Sequence, residues 1–211
     1  MLPSTGIRIG IIGGGGWGLA LADLLARKGN QVCVWEFNPD FLSSLQQTRS
    51  NPALLPGVIL PDSVLFTGDW SALADFAPEI IVISTPSQFI RSTLLSVPSE
   101  LRSRLYQACQ AFLIVSKGVE LKSGLLLTEV LKQVLSHELH DKIYALSGPS
   151  HAEEVSRGIP TTVVIAGDDE EILQWLQEVF SNQYFRAYRS HDLIGVEIGG
   201  AVKNIIAIAA G

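Results

Sequence analysis

IRIGIIGGGGWGLALADLLARKG, residues 7–29, is the stretch whose reading decides the fold. It begins as an isoleucine-rich apolar run (7–13) and passes through a glycine cluster. It then takes on helical periodicity (17–29) and stops on Lys28-Gly29, a basic last turn followed by a C′ glycine. Gly13, Gly15 and Gly18 satisfy G-x-G-x-x-G. In such a loop Gly13 permits the tight turn and Gly15 lets the backbone approach a pyrophosphate. Gly18 lets the helix pack closely on the strand, and the helix N-terminus faces the anion. The pattern alone is weak. Here a strand precedes it, a helix follows it, and a second strand, QVCVWE (31–36), ends in an acid. The expectation is a dinucleotide-binding unit; the bland alternative is a glycine-rich turn with no ligand.

Glu36 lies 18 positions after Gly18. A carboxylate there accepts hydrogen bonds from the ribose hydroxyls of NAD and repels the 2′-phosphate of NADP. No Arg or Lys follows in Glu36-Phe37-Asn38-Pro39. NAD is therefore the expected cofactor, with NADP disfavoured by Glu36.

Outward from this unit, strand-like and helix-like segments alternate. PEIIVIST (78–85), AFLIVSK (111–117) and KIYALSG (142–148) are continuous apolar runs, with a helical stretch expected over about 88–107. TTVVIA (161–166) and YFRAY (184–188) flank the helix EEILQWLQEVF (170–180). Runs apolar on both faces belong to a sheet covered on both sides. The fold class is α/β: a Rossmann-like, doubly wound, mostly parallel sheet with helices on both faces. A last long helix starts near His191. NPALLPGVILP (51–61) is irregular yet apolar, so it is expected to pack against something.

The bulk properties narrow the function. The 211 residues are 47% hydrophobic and 17% charged, enough for a sizeable core, and the net charge of -6 argues against nucleic acid as a partner. An anionic small molecule held by a few local lysines remains open. Cys33 and Cys109 show no CxxC or Cys/His spacing, so reduced core thiols in a cytoplasmic protein are expected and no metal site is. Arg8 and the glycines interrupt the N-terminal apolar stretch, which does not read as a signal peptide. No run reaches the roughly 18 apolar residues of a membrane span.

Three further segments carry chemistry. Lys117 follows a strand at its carboxyl end, where open α/β sheets bind ligands. In SGPSHAEEV (147–155) Gly148-Pro149 makes a turn, and Ser150 with Glu153 has capping-box spacing, so Ser150 is expected as an N-cap whose loop also meets a polar ligand. On the last helix Gly195, Gly199, Lys203, Ala207 and Gly211 fall at i, i+4 spacing, a small-residue stripe with one Lys in it. Close packing there would partly bury Lys203 and lower its pKa, which suits acid/base work. Asn204, on a neighbouring face, is placed to orient the Lys or a substrate. His191 is a rival acid/base by chemistry.

GGGWGLALA, NPALLPGVILP, PSQ (86–88), SKGVE, SGPSHAEEV and GVEIGGAVKNIIAIAAG occur in this order. Together they resemble the NAD(P)-dependent glycerol-3-phosphate dehydrogenases of bacterial type, from about residue 7 to residue 211. The resemblance implies reversible reduction of dihydroxyacetone phosphate to sn-glycerol 3-phosphate, for phospholipid synthesis. It implies cofactor contacts at Gly16, Trp17 and Ala152, with Lys117 near both cofactor and substrate. Gly148 and Ser150 would line the substrate site, and Lys203 would be the proton donor and acceptor. His191 falls outside the matching motifs.

Two departures from the family stand out. Glu36-Phe37-Asn38 replaces the small residues and Arg or His that serve NADP. The family also continues past KNIIAIAAG with a mostly helical domain. The expectation is a dinucleotide-binding domain at 1–190, and at 191–211 the start of a helical substrate domain, cut inside its first helix. Apolar faces left without partners would favour a homo-oligomer. The competing reading is a non-catalytic NAD-binding fragment. A dehydrogenase acting on a hydroxyacyl or sugar-acid substrate is disfavoured by the SKG, SGPS and GGAVKN motifs together.

Overall fold

The computed structural model describes residues 2–211, apart from the side chain of Asn204. The first half of the sheet comprises β1 (Arg8–Ile12), β2 (Gln31–Trp35), β3 (Val64–Thr67) and β4 (Ile80–Ile83). The second half comprises β5 (Ala111–Ile114), β6 (Ile143–Ser147), β7 (Thr161–Ala166) and β8 (Phe185–Ser190). Their spatial order is β3-β2-β1-β4-β5-β6-β7-β8. The first six strands run parallel; β7 pairs antiparallel with β6, and β8 runs parallel to β7. The order reverses between β1 and β4, the topological switch point of a doubly wound sheet.

The sequence explains the layering. Every residue of β4 (IIVI) and β5 (AFLI) is buried, because helices cover both faces. On one face lie α1 (Gly16–Arg27), α7 (Ala152–Ser156) and α8 (Glu170–Phe180), around Leu19, Leu21, Ile80, Val82 and Leu176. On the other lie α3 (Trp70–Phe76), α4 (Ile90–Leu95), α5 (Ser99–Tyr106) and α6 (Leu127–Val134), around Ile81, Ile83, Leu94, Leu105 and Leu131. Each such aliphatic side chain contributes about 1.5–3 kcal/mol on full burial. Two further α-helices are α2 (Pro39–Thr48), beside β3, and the long α9 (Leu193–Ala210), which packs on β6 and β7.

Three expectations are corrected. The helix over 88–107 is two helices, α4 and α5, broken at 96–98, where Pro98 has no N–H to continue the ladder. Ser150 does not cap α7. The N-cap is His151, without a side-chain hydrogen bond, and Glu153 pairs with Arg157 at 3.5 Å. The Ser150 hydroxyl is engaged elsewhere, as described below. Finally, the 195/199/203/207/211 stripe is not the packed face of α9, since Gly195, Gly199 and Ala207 are exposed. The helix turns Leu193, Val196, Glu197 and Gly200 inward instead.

Cys33 and Cys109 are buried and free, and burial pushes both thiols up to about 12, so neither is a nucleophile. Leu55 and Leu60 anchor the irregular 51–61 loop in the core. Among the described residues, no helix is long and apolar enough to cross a membrane, and no group of three His, Cys, Asp or Glu could hold a metal ion.

Candidate active site

A cleft of about 990 Å³ opens over the carboxyl ends of β1, β2, β4 and β5. Gly13, Gly15, Gly16 and Glu36 line one part of it and Lys117, Ser150 and Ala152 another, with Trp17 touching both. Gly13 adopts φ +112°, and a Cβ there would stand 2.9 Å from the Ser84 carbonyl carbon. A Cβ on Gly18 would collide with the Gly13 carbonyl, so Gly18 serves helix–strand packing beneath the cleft. Around Gly15 there is open space, and it caps α1 with no side-chain acceptor. The first-turn N–H groups of α1 are therefore available to an anion. A pyrophosphate fits this cradle.

Glu36 closes the same end. Its Oε2 accepts the Gly14 N–H at 2.8 Å and its Oε1 the Asn38 N–H at 2.9 Å. A carboxylate has about four lone-pair positions. Two are used by the backbone, and the others are free to accept ribose hydroxyls. Phe37 stands 83% exposed beside it at the mouth of the cleft.

The far end is assembled from four segments. The Lys117 Nζ donates to the Ser150 Oγ at 3.1 Å, and Ser150 donates to the Gly148 carbonyl at 3.3 Å. The same ammonium lies 5.6 Å from the Trp17 ring centroid. Burial first, and the neighbouring Lys203 second, depress the Lys117 pKa to about 8. The fold thus brings Lys117, Ser150 and Lys203 together. Gly148 lies below them, where a Cβ would meet the Thr162 carbonyl oxygen at 2.9 Å. The Asn204 side chain lies outside the described residues. His191 is exposed and engaged elsewhere, its Nδ1 3.2 Å from the Gly167 carbonyl and its Nε2 3.3 Å from Glu170 Oε2.

The Lys117 loop is itself held. Gln88 donates to the Val119 carbonyl at 2.8 Å and accepts the Leu121 N–H at 2.9 Å. Arg91 makes a two-pronged ion pair with Glu120, at 2.8 and 2.9 Å, and Ser123 donates to the same carboxylate at 2.6 Å. Arg91 and Ser123 hold the Glu120 pKa down to about 2. Sequence reasoning missed Ser84, Thr85 and Phe89, which line the cleft, and the role of Glu120 within SKGVE. Their signal was positional: each follows the carboxyl end of β4 or β5.

The strand order, the glycine loop at the switch point and the open α1 N-terminus define a doubly wound dinucleotide-binding domain. Over residues 8–173 the chain matches the family described as NAD-dependent glycerol-3-phosphate dehydrogenase N-terminus. The chain belongs to that family. It is 40% identical over 205 residues to the glycerol-3-phosphate dehydrogenase [NAD(P)+] of Fusobacterium nucleatum, covering 97% of this chain and 59% of that protein. It is 44% identical over 203 residues to the enzyme so named from Prosthecochloris aestuarii, covering 96% of this chain and 59% of that one. The crystal structure of glycerol-3-phosphate dehydrogenase from Coxiella burnetii superposes with a TM-score of 0.82 at 32% identity, covering 98% of this chain and 60% of that one. The chain thus spans 59% of the length of the two curated relatives named.

Proposed function

We propose that this chain serves an oxidoreductase that interconverts dihydroxyacetone phosphate and sn-glycerol 3-phosphate with a nicotinamide cofactor, in the cytoplasm, for phospholipid synthesis. Residues 1–190 are its dinucleotide-binding domain, and residues 191–211 open its substrate domain. The observation that carries the reading is the Lys117–Ser150 contact, with Lys203 beside Lys117, in a cleft that also holds a pyrophosphate cradle.

Gly13, Gly15, Gly16 and Gly18 shape the backbone that would hold the dinucleotide, with Trp17 and Ala152 at its sides. Hydride exchange with the substrate's carbonyl carbon is the chemistry that the bound nicotinamide supplies. The protein's own task is charge and proton management at the neighbouring oxygen. Lys203 donates its ammonium proton to the developing alkoxide in reduction and recovers it in oxidation. Lys117 and Ser150, with Asn204, bind and orient the polar substrate, and two adjacent ammonium groups favour a phosphate ester. Gly148 supports this corner through its turn. Lys117 is protonated below a pH of about 8, so anion binding weakens as pH rises through that value.

Glu36 favours NAD over NADP, because its carboxylate would face the 2′-phosphate. The exposed isoleucines of α9, among them Ile194, Ile198 and Ile205, favour association of the chain with itself.

The test is separate titration of NADH and NADPH into the 211-residue chain, followed by NADH oxidation with dihydroxyacetone phosphate. NADH binding with turnover that Lys203→Ala abolishes supports the reading. NADH binding without turnover supports a dinucleotide-binding unit that is not catalytic by itself. Failure to bind either cofactor overturns the assignment of the glycine loop.

A further inference from the structure

α9 carries a carboxylate that the proposed chemistry does not use. Glu197 is only 7% exposed. It reaches the first turn of α6, where its Oε1 accepts the Thr128 N–H at 3.1 Å and its Oε2 accepts the Thr128 hydroxyl. Leu126, at the N-cap of α6, offers no side-chain acceptor. A glutamate from a helix 69 positions away along the chain thus satisfies orphan donors that an N-cap Ser or Asp normally serves, at the positive end of the α6 dipole.

The same residue sits next to the lysine corner. Glu197, Lys117, Ser147 and Gly200 line one small cavity under α9. One turn beyond Glu197, a Cβ at Gly200 would collide with the Ser147 hydroxyl and lie 3.8 Å from Lys117 Cγ. Three residues further, Lys203 reaches the Lys117 ammonium closely enough to depress its pKa. α9 therefore has two fixed points on the sheet side, the Glu197–Thr128 clamp and the Gly200–Ser147 contact, and Lys203 follows from both. A leucine at 197 would bury comparable apolar volume without needing partners. What it lacks is the directional bond that registers α9 against α6.

We propose that Glu197 is a positioning residue: by capping α6 from α9 it fixes how α9 seats on β6, and so holds Lys203 beside Lys117. The inference rests on the reading of these lysines as the reactive pair, but it concerns their geometry and is tested without substrate. Burial raises the Glu197 pKa, against the hydrogen bonds from Thr128, and Glu129 on α6 raises it further. The carboxylate thus needs its donors to stay in place.

The experiment is the pH dependence of Lys117 acetylation by acetic anhydride, read by peptide mass spectrometry on the full 211-residue chain. The expected midpoint is about 8 in the unaltered protein. Lys203→Ala raises it part of the way toward the ordinary lysine value of about 10.4, since a neighbouring positive charge is gone while burial, the larger cause, remains. Glu197→Ala is expected to raise it by at least half as much, and Glu197→Ala with Lys203→Ala no further than Lys203→Ala alone. Glu197→Gln, which keeps the shape and one acceptor, restores most of the depression. Should Glu197→Ala not fold, Thr128→Val removes the hydroxyl donor from the other side and is expected to raise the midpoint in the same direction. A midpoint unmoved in Glu197→Ala, or in Thr128→Val, while Tm falls would overturn the proposal and leave Glu197 a purely stabilising cap. Additive shifts in the double variant would overturn it equally. Because no turnover is read, failure of the dehydrogenase reading would appear in the NADH assay and not here.

Discussion

At the glycine-loop end of the cleft the working surface is backbone. Gly15 leaves open space, Gly13 turns at positive φ, and the N–H groups of α1 point outward with no side-chain cap. At the lysine end the working surface is side chain, with Lys117, Ser150 and Lys203 drawn from loops after β5 and β6 and from α9. The first end is largely local, since consecutive glycines shape it and Glu36 alone reaches in from β2 to hold it. The second exists only once the sheet has brought distant segments together. A substitution in the glycine loop should therefore act through shape, and one at Glu36 or at the lysine end through charge.

The largest expected effect belongs to the lysine end. Lys203→Ala should lower turnover by about 10²–10⁴, the usual worth of a general acid, and leave the Kd for NADH nearly unchanged. An equal loss of NADH affinity would erase the division between the two ends. Next comes Gly18→Ala. The new Cβ meets the Gly13 carbonyl, a backbone atom that has nowhere to go. A loss of about 1–3 kcal/mol in stability is expected, with NADH binding weakened in the same titration. A fully stable variant would show that the close approach of α1 to β1 is not needed.

Glu36→Ser should change the ratio of NADH to NADPH affinity by about tenfold, some 1.4 kcal/mol, in favour of NADPH. A ratio that stays put would locate cofactor choice elsewhere in the cleft. The smallest effect is expected at Arg91→Ala. Its partner Glu120 has a folded pKa of about 2, below the ordinary carboxylate value of about 4.3. The pair's contribution is fully present above the ordinary value and is lost as pH falls toward the folded one. Thermal melts should thus separate the variant from the parent by a few degrees at pH 7, and the two curves should converge toward pH 2.

Legibility in the sequence followed the same division. The glycine loop and the strands 7–13, 78–85 and 111–117 could be read because each is a continuous run whose meaning is local. β3 escaped notice: it has four residues, and of its hydrophobics Val64 is buried while Leu65 is 53% exposed. Ser150 looked like a cap because S-x-x-E is a local pattern, but Lys117, distant in sequence, claims its hydroxyl. The glycines of α9 suggested one packed stripe, whereas Gly200, off that stripe, makes the close approach to Ser147. The periodicity of glycine alone did not reveal which face the sheet would cover. Glu197 stood in a quoted motif without a role, because its partner Thr128 belongs to a helix that no pattern had tied to α9.

The clasp formed by Gln88, Arg91 and Glu120 has a mechanical consequence. It ties the turn after β4 to the loop after β5 at Val119, Glu120 and Leu121, just beyond Lys117 and Gly118. The Leu121 amide reports on this linkage, because the residue is 77% exposed while its N–H is held by Gln88. Hydrogen exchange at that one amide is expected to slow while the Gln88 contact holds and to quicken in Gln88→Ala.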